Sequence, residues 1–109
     1  MADARALYRE GFQLFADDEV DGAIALYKQA IEADPALAIA WNGLSMAYRA
    51  KGAIDLGIEA GRKLVELEPD DALNHTNLSI LYQAKGMITE AEDEKALAMQ
   101  LEMKAQRKD

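Results

Sequence analysis

The sequence has little of what metal and catalytic sites are built from. Cysteine is absent and histidine occurs once in 109 residues, which excludes disulfides and thiolate metal sites and leaves the redox compartment undetermined. No second histidine and no acidic residue at metal-ligand spacing accompanies His75, so neither a zinc site nor a catalytic triad can be assembled around it. The sequence therefore predicts a non-catalytic protein without cofactor or metal, in which His75 is a packing residue.

Long apolar runs and clusters of basic residues are also missing. No run approaches the roughly 20 apolar residues that cross a bilayer, and the N-terminus lacks a signal-peptide core. The formal net charge is −8, and the basic cluster is confined to Lys104, Arg107 and Lys108. Because nucleic-acid affinity depends on clustered cations, neither a nucleic acid nor a membrane is an expected partner. Cytoplasmic residence is the default expectation, unless the chain is a domain of a larger protein.

Proline and glycine are scarce, at two and seven residues, and the abundant Ala, Leu, Glu and Lys lose little side-chain entropy in a helix. Apolar residues recur at three-to-four spacing. This pattern predicts helices over 4–16, 20–33, 37–50, 54–67, 72–84 and from 87 to beyond 104. The expected breaks are Asp34-Pro35, Lys51-Gly52, Glu68-Pro69 and Lys85-Gly86. Asp70 or Asp71 is placed to cap the fifth helix.

Landmark residues recur every 34 positions, which indicates three copies of one helical hairpin. One position of the unit holds Leu7, Trp41 and His75, while Pro35 and Pro69 close the first two copies. A single hairpin cannot bury its apolar face, so the copies are expected to stack. The predicted fold class is an all-α solenoid of about six helices in a single domain, 1–109, with repeats at about 4–37, 38–71 and 72–105.

The second copy carries a family resemblance. Its residues Trp41-x-x-Leu44-Ser45-x-x-Tyr48, followed by Pro69, resemble the tetratricopeptide repeat, whose unit has the pattern W-x₂-L-G-x₂-Y, A-x₃-F and P. The first copy adds Gly11, Ala23-x-x-x-Tyr27, Ala30 and Pro35. The resemblance covers nearly the whole chain and implies a right-handed solenoid of three helix-turn-helix units that serves as a protein-binding adaptor or scaffold.

Several residues depart from the family pattern. Glu10 replaces a leucine, and Glu92 and Lys95 occupy inner positions of the last helix. We interpret Glu92 and Lys95 as a polar C-terminal cap, which predicts that the array ends at three repeats. Gly57 and Gly61 replace an alanine and an aromatic residue, at about 1 kcal/mol each relative to alanine in a helix. Either they make room for a bulky aromatic neighbour or a close helix approach, or they form a pocket or self-association face.

The resemblance implies that a stripe on the first helix of each hairpin faces a concave groove. Besides Gly43, that stripe consists of Arg5, Tyr8, Arg9, Phe12, Phe15, Ile39, Asn42, Met46, Arg49, Leu73, Thr76, Asn77, Ile80 and Gln83. None is acidic, in a chain with 20 Asp and Glu. Aromatic residues, Arg and Met dominate interface energetics. The alternative is that Phe12, Phe15 and Ile80 belong partly to the core between repeats.

The groove predicts a protein or peptide partner with apolar side chains and an acidic group or terminal carboxylate, paired by Arg5, Arg9 or Arg49. The family also includes a two-carboxylate clamp for chaperone tails, built from lysine, asparagine and arginine. The matching positions here hold Tyr8, Phe12, Gly43, Leu73 and Asn77, so chaperone-tail binding is not expected.

A second hypothesis is a structural role, in which the solenoid forms a homo-oligomer through its ends. Leu97, Leu101 and Met103 of the last helix would otherwise be exposed. The acidic cluster near the start of that helix suits the helix dipole and is interpreted as a solvated face. It consists of Glu90, Glu92, Asp93 and Glu94.

Overall fold

The computed structural model describes residues 3–107, and that part of the chain is helical throughout apart from short turns. The helices are α1 Ala4–Ala16, α2 Val20–Ala33, α3 Ala38–Lys51, α4 Ile54–Leu67, α5 Ala72–Lys85 and α6 Ile88–Gln106. Every predicted helix is confirmed with bounds within one residue, and α6 continues past Lys104 because no proline ends it. The all-α fold class is confirmed.

The turn inside each hairpin depends on one residue in the left-handed region. Gly52 and Gly86, with φ of 86° and 87°, follow α3 and α5, and Asp18, with φ of 66°, takes the same position after α1. The next amide bonds back across the turn, as from Ala53 N to Tyr48 O at 2.9 Å, which is the Schellman arrangement. The predicted glycine stops are therefore confirmed.

The turns between hairpins are shaped by side-chain caps. Asp71 accepts a hydrogen bond from the Leu73 amide at 3.0 Å, so Asp71 is the N-cap of α5, and Asp70 is not. Asp34 accepts from the Ala36 amide at 3.1 Å in the corresponding turn before α3. The Asp71 side chain thus satisfies an amide that the start of α5 leaves without a partner, whereas Asp34 bonds an amide of the turn itself.

Each helix packs against the next helix in the chain, and α1 also contacts α3. One core cluster lies between the first two hairpins, around Tyr27, Leu44 and Tyr48. A second lies between the last two, around Leu78 and Leu81. The stacking that a single hairpin requires is thus provided twice, at the two junctions between hairpins.

The two glycines of α4 are buried where α4 approaches α5 and α3. A Cβ on Gly57 would lie 3.0 Å from Leu81 Cδ2, and one on Gly61 would lie 3.2 Å from Leu78 Cδ1. The space is therefore filled, but by leucines rather than by an aromatic residue. The hypothesis that these glycines form a pocket or a self-association face is wrong, because both glycines are buried and inaccessible to another molecule.

The outer side of the first hairpin is polar. On α3 and at its N-cap, the residues that pack against the preceding hairpin are all buried; they are Leu37, Ala40, Leu44 and Ala47. Their counterparts on α1 and at its N-cap are all exposed; they are Asp3, Ala6, Glu10 and Gln13. At the other end Glu92 and Lys95 are exposed, where the counterpart of Glu92 in α4 is the buried Ile58.

Candidate functional site

His75 is 4% exposed and joins α5, α6 and the turn between hairpins. Its Nδ1 lies 2.7 Å from Glu94 Oε1, and its Nε2 lies 2.6 Å from the Pro69 carbonyl oxygen. An ionised carboxylate and a carbonyl only accept hydrogen bonds, so both contacts are hydrogen bonds when the two ring nitrogens are protonated and donate. Burial lowers the pKa of His75, but the hydrogen bonds to Pro69 and Glu94 and the Glu94 charge outweigh it and raise that pKa.

The same connection exists one hairpin earlier. Trp41, at the position of His75 in the repeat, donates from Nε1 to the Pro35 carbonyl oxygen at 2.8 Å. His75 is therefore structural, as the sequence predicted. The interpretation of Glu94 as part of a solvated face is wrong, because its side chain is only 18% exposed and ion-paired with His75. Sequence spacing missed this acid because it lies 19 positions away, on the partner helix.

No metal centre or membrane span is found in the described part of the chain. Within residues 3–107 no group of three or more His, Asp or Glu side chains is arranged to hold an ion. None of the six helices combines the length and apolarity needed to cross a bilayer.

None of the fourteen predicted groove residues is buried. The exposed ones are Arg5, Arg9, Phe12, Ile39, Met46, Leu73, Ile80 and Gln83. The half-buried ones are Tyr8, Phe15, Asn42, Arg49, Thr76 and Asn77. Phe15 packs against the core cluster, whereas Phe12 and Ile80 remain 56% and 42% exposed. The core alternative therefore holds for Phe15 and not for Phe12 or Ile80.

A small pocket lies between the first two hairpins, with a volume of about 70 Å³. It is lined by Tyr8, Phe12, Phe15, Tyr27, Asn42, Gly43 and Met46. We call it the aromatic pocket. It brings together predicted groove residues of α1 and α3, while those of α5 lie outside it.

Tyr27 belongs to this pocket although it comes from α2. Its ring lies against Gly11 and Gly43, where an added Cβ would approach ring carbons to 2.9 and 2.7 Å. The Tyr8 ring stacks on it with centroids 5.7 Å apart. Burial, with a smaller contribution from Tyr8, raises the pKa of Tyr27 to about 12. A pair of glycines in the facing helices was the sequence signal that could have placed this ring.

The arginines of the predicted groove stripe form no salt bridge in the part of the chain that the structure describes. Among residues 3–107 the salt bridges are Lys51–Asp21, Lys85–Asp55 and His75–Glu94, and Arg5, Arg9 and Arg49 take part in none. Lys51–Asp21 and Lys85–Asp55 occupy the same positions in successive repeats and link neighbouring hairpins at 2.6 and 2.7 Å. The two lysines thus pair with carboxylates of the neighbouring hairpin.

A family model described as the tetratricopeptide repeat matches residues 38–71, the middle hairpin. The hairpins on either side repeat its helix pair and its turn. The third hairpin also repeats its bond to the preceding proline carbonyl. The middle hairpin is a tetratricopeptide repeat, and the hairpins on either side share its architecture. The three hairpins form the all-α solenoid that the resemblance implied.

Solved structures of tetratricopeptide repeat proteins superpose closely on this chain. A crystal structure of MamA is 28% identical, with a TM-score of 0.93, over 96% of this chain and 61% of that chain. MamA from Desulfovibrio magneticus RS-1, residues 41 to the end, is 28% identical with a TM-score of 0.88, over 96% and 58%. The chain thus spans about three fifths of the MamA chains that it matches.

The first tetratricopeptide repeat domain of Spaghetti (RPAP3), bound to the HSP90 peptide SRMEEVD, is 20% identical with a TM-score of 0.88. The match covers 92% of this chain and 79% of that chain, and at this identity it shows the fold alone. No curated protein sequence matches the chain.

Proposed function

We propose that the protein is a non-catalytic interaction module whose groove binds a peptide segment of another protein. The observation that carries this proposal is the segregation of acid from the groove. Five large apolar side chains of the groove are each more than a third exposed: Phe12, Ile39, Met46, Leu73 and Ile80. The same stripe carries three arginines that form no salt bridge within residues 3–107, in a chain of net charge −8.

The side chains of the proposed groove indicate which residues its ligand would carry. Exposed aromatic and methionine side chains favour apolar residues in the ligand. Arg5, Arg9 and Arg49 favour a carboxylate, which a guanidinium binds through two parallel hydrogen bonds. The Spaghetti domain supports the proposal because the same fold there holds a peptide with acidic residues. Tyr8, Phe12 and Leu73 occupy clamp positions here, so apolar contacts are expected to contribute more than paired charges. The proposal makes the protein an adaptor or scaffold, and cytoplasmic residence stays the default expectation.

The proposal is tested with a triple variant in which Tyr8, Phe12 and Arg49 become alanine. A matched control carries alanine at the exposed positions Gln29, Glu59 and Glu66 of α2 and α4. Both are checked for helix content by circular dichroism and used as bait in quantitative pull-downs. We expect the control to retain the partners of the wild type and the triple variant to lose them.

The partner identified in this way is then titrated calorimetrically as a purified segment against all three proteins. Undiminished affinity for a folded triple variant would reject groove binding. If the triple variant loses helix content, the single variants Phe12→Ala and Arg49→Ala replace it in both measurements.

The second candidate is self-association, and exposed apolar side chains on α6 favour it. Leu97, Met99 and Met103 are 42%, 56% and 51% exposed, while Leu101 is half-buried and not fully exposed as predicted. Head-to-tail stacking would press this surface against the polar outer side of α1, so a two-fold pairing of α6 helices is the form proposed. Light scattering across concentration decides the matter, and a mass that stays monomeric at every concentration would rule it out.

A further inference from the structure

We propose that the aromatic pocket is the anchor site of the groove. It takes one aliphatic or methionine side chain from a peptide that carries an acidic residue within a few positions of that anchor. This inference rests on the proposed function of the groove and deepens it by naming the subsite and the ligand residue that enters it.

The size and lining of the pocket set the anchor chemistry. Its volume of about 70 Å³ is roughly half that of the ~150 Å³ apolar cavity known to hold benzene. This space suits the branched end of Val, Leu or Ile, or the end of Met, and not an indole. The walls are the exposed Phe12 and Met46, and the floor is the buried Tyr27 ring. Asn42 is the one amide side chain in the lining, so the pocket binds an apolar group best.

The second junction between hairpins is built differently. Phe12, Met46 and Ile80 share one position of the repeat, but the counterpart of Tyr27 is Gly61. Leucines from α5 fill the space beside Gly61, so no aromatic ring forms a floor there. Ile80 is 42% exposed, close to the 37% of Met46, yet it does not line the aromatic pocket. Ile80 is therefore a matched control for Met46.

Two arginines flank the pocket and set the position of the acid. Arg9 precedes Phe12 by three residues and Arg49 follows Met46 by three. Residues three apart on a helix are neighbours, with Cβ atoms ~5–6 Å apart. Neither arginine forms a salt bridge within residues 3–107. Because an extended peptide advances about 3.3 Å per residue, an acidic residue about one to four positions from the anchor reaches one of these guanidinium groups.

The test uses a library of random peptides displayed on phage and selected on the immobilised wild-type protein. Enriched peptides are synthesised with a fluorophore, and their Kd is measured by anisotropy against wild type, Met46→Ala, Ile80→Ala and Arg49→Gln. We expect Met46→Ala to raise Kd about tenfold or more, as at an interface hot spot, and Ile80→Ala to raise it less than about threefold. Arg49→Gln should weaken the binding of the acidic peptide. It should not change the binding of an analogue in which Asn or Gln replaces the acidic residue.

The outcomes separate this inference from the proposed function. Peptides that share an aliphatic or methionine position and respond to Met46→Ala but not to Ile80→Ala support the anchor site. Peptides that bind but respond equally to both substitutions, or that lack such a position, overturn the anchor site and leave groove binding intact. If no peptide is enriched, or no groove substitution changes Kd, both proposals fail.

Discussion

Replacing Glu94 with alanine is expected to destabilise the protein, because it removes the hydrogen-bond partner of a buried histidine ring. His75 Nδ1 would lose an acceptor at 2.7 Å in a site where the ring is 4% exposed and water cannot easily substitute. A buried donor left without a partner costs about 1–3 kcal/mol. Breaking a fully buried ion pair costs about 3–5 kcal/mol, but Glu94 retains 18% exposure. We therefore expect a loss of about 2 kcal/mol.

The loss should depend on pH with a defined sign. Because the pKa of His75 is raised in the folded protein, its contribution is complete below the unfolded value of about 6.5. It is lost as pH rises through the higher folded value. Each unit between the two pKa values corresponds to about 1.4 kcal/mol. The difference in stability between wild type and Glu94→Ala should thus be largest near the lower end of a series from about pH 6 to about pH 9, the range in which histidine changes its charge.

Urea unfolding followed by circular dichroism measures this difference at each pH. Glu92→Ala is the matched control, since it makes the same change on the same helix at an exposed residue and should cost less than about 0.5 kcal/mol. Repeating Glu94→Ala in a His75→Gln background isolates the coupling between the two side chains. A cost no greater than that of Glu92→Ala, or a difference that stays constant across the pH series, would refute the reasoning.

Three further predictions concern packing, backbone and ionisation. Gly61→Phe should cost about 1–3 kcal/mol from overpacking, because its Cβ alone would lie 3.2 Å from Leu78 Cδ1; unchanged stability in urea unfolding would contradict a filled space. Asp18→Gly should stabilise the protein by about 0.5–1 kcal/mol, because Asp18 has a φ of 66° that glycine adopts without strain; a lower melting temperature would contradict it. Burial, and to a smaller extent Tyr8, raises the pKa of Tyr27 from 10.0 to about 12. The protonated Tyr27 hydroxyl therefore contributes its full stabilisation below the unfolded pKa, and this stabilisation is lost as pH rises through the folded pKa. Tyr27→Phe should accordingly lose less stability than wild type over that alkaline interval, by up to about 2–3 kcal/mol in chemical denaturation.

The helices and their ends were predictable because their causes are local. Pro35, Gly52 and Pro69 act on the backbone within one or two residues of themselves, and the 34-residue recurrence supplied three independent views of the same unit. The choice between Asp70 and Asp71 as the N-cap of α5 needed the turn geometry, since either residue had the right side chain.

The candidate site was predictable only in part. A stripe on the first helices correctly selected residues that are exposed or half-buried, because a helix presents one face at fixed spacing. It could not include Tyr27, whose ring comes from α2 and reaches the groove side between Gly11 and Gly43. It also could not show that Phe12 and Met46 share a pocket that Ile80 does not.

The sequence by itself determined the repeating unit, its resemblance to the tetratricopeptide repeat and the absence of acid from the predicted groove stripe, since these follow from residue type and spacing along the chain. Only the tertiary structure decided which side chains of different helices meet. Glu94 pairs with His75, and leucines of α5 fill the space beside Gly57 and Gly61. Such contacts depend on how far and at what angle two helices approach, which is set by the packing of all their side chains together.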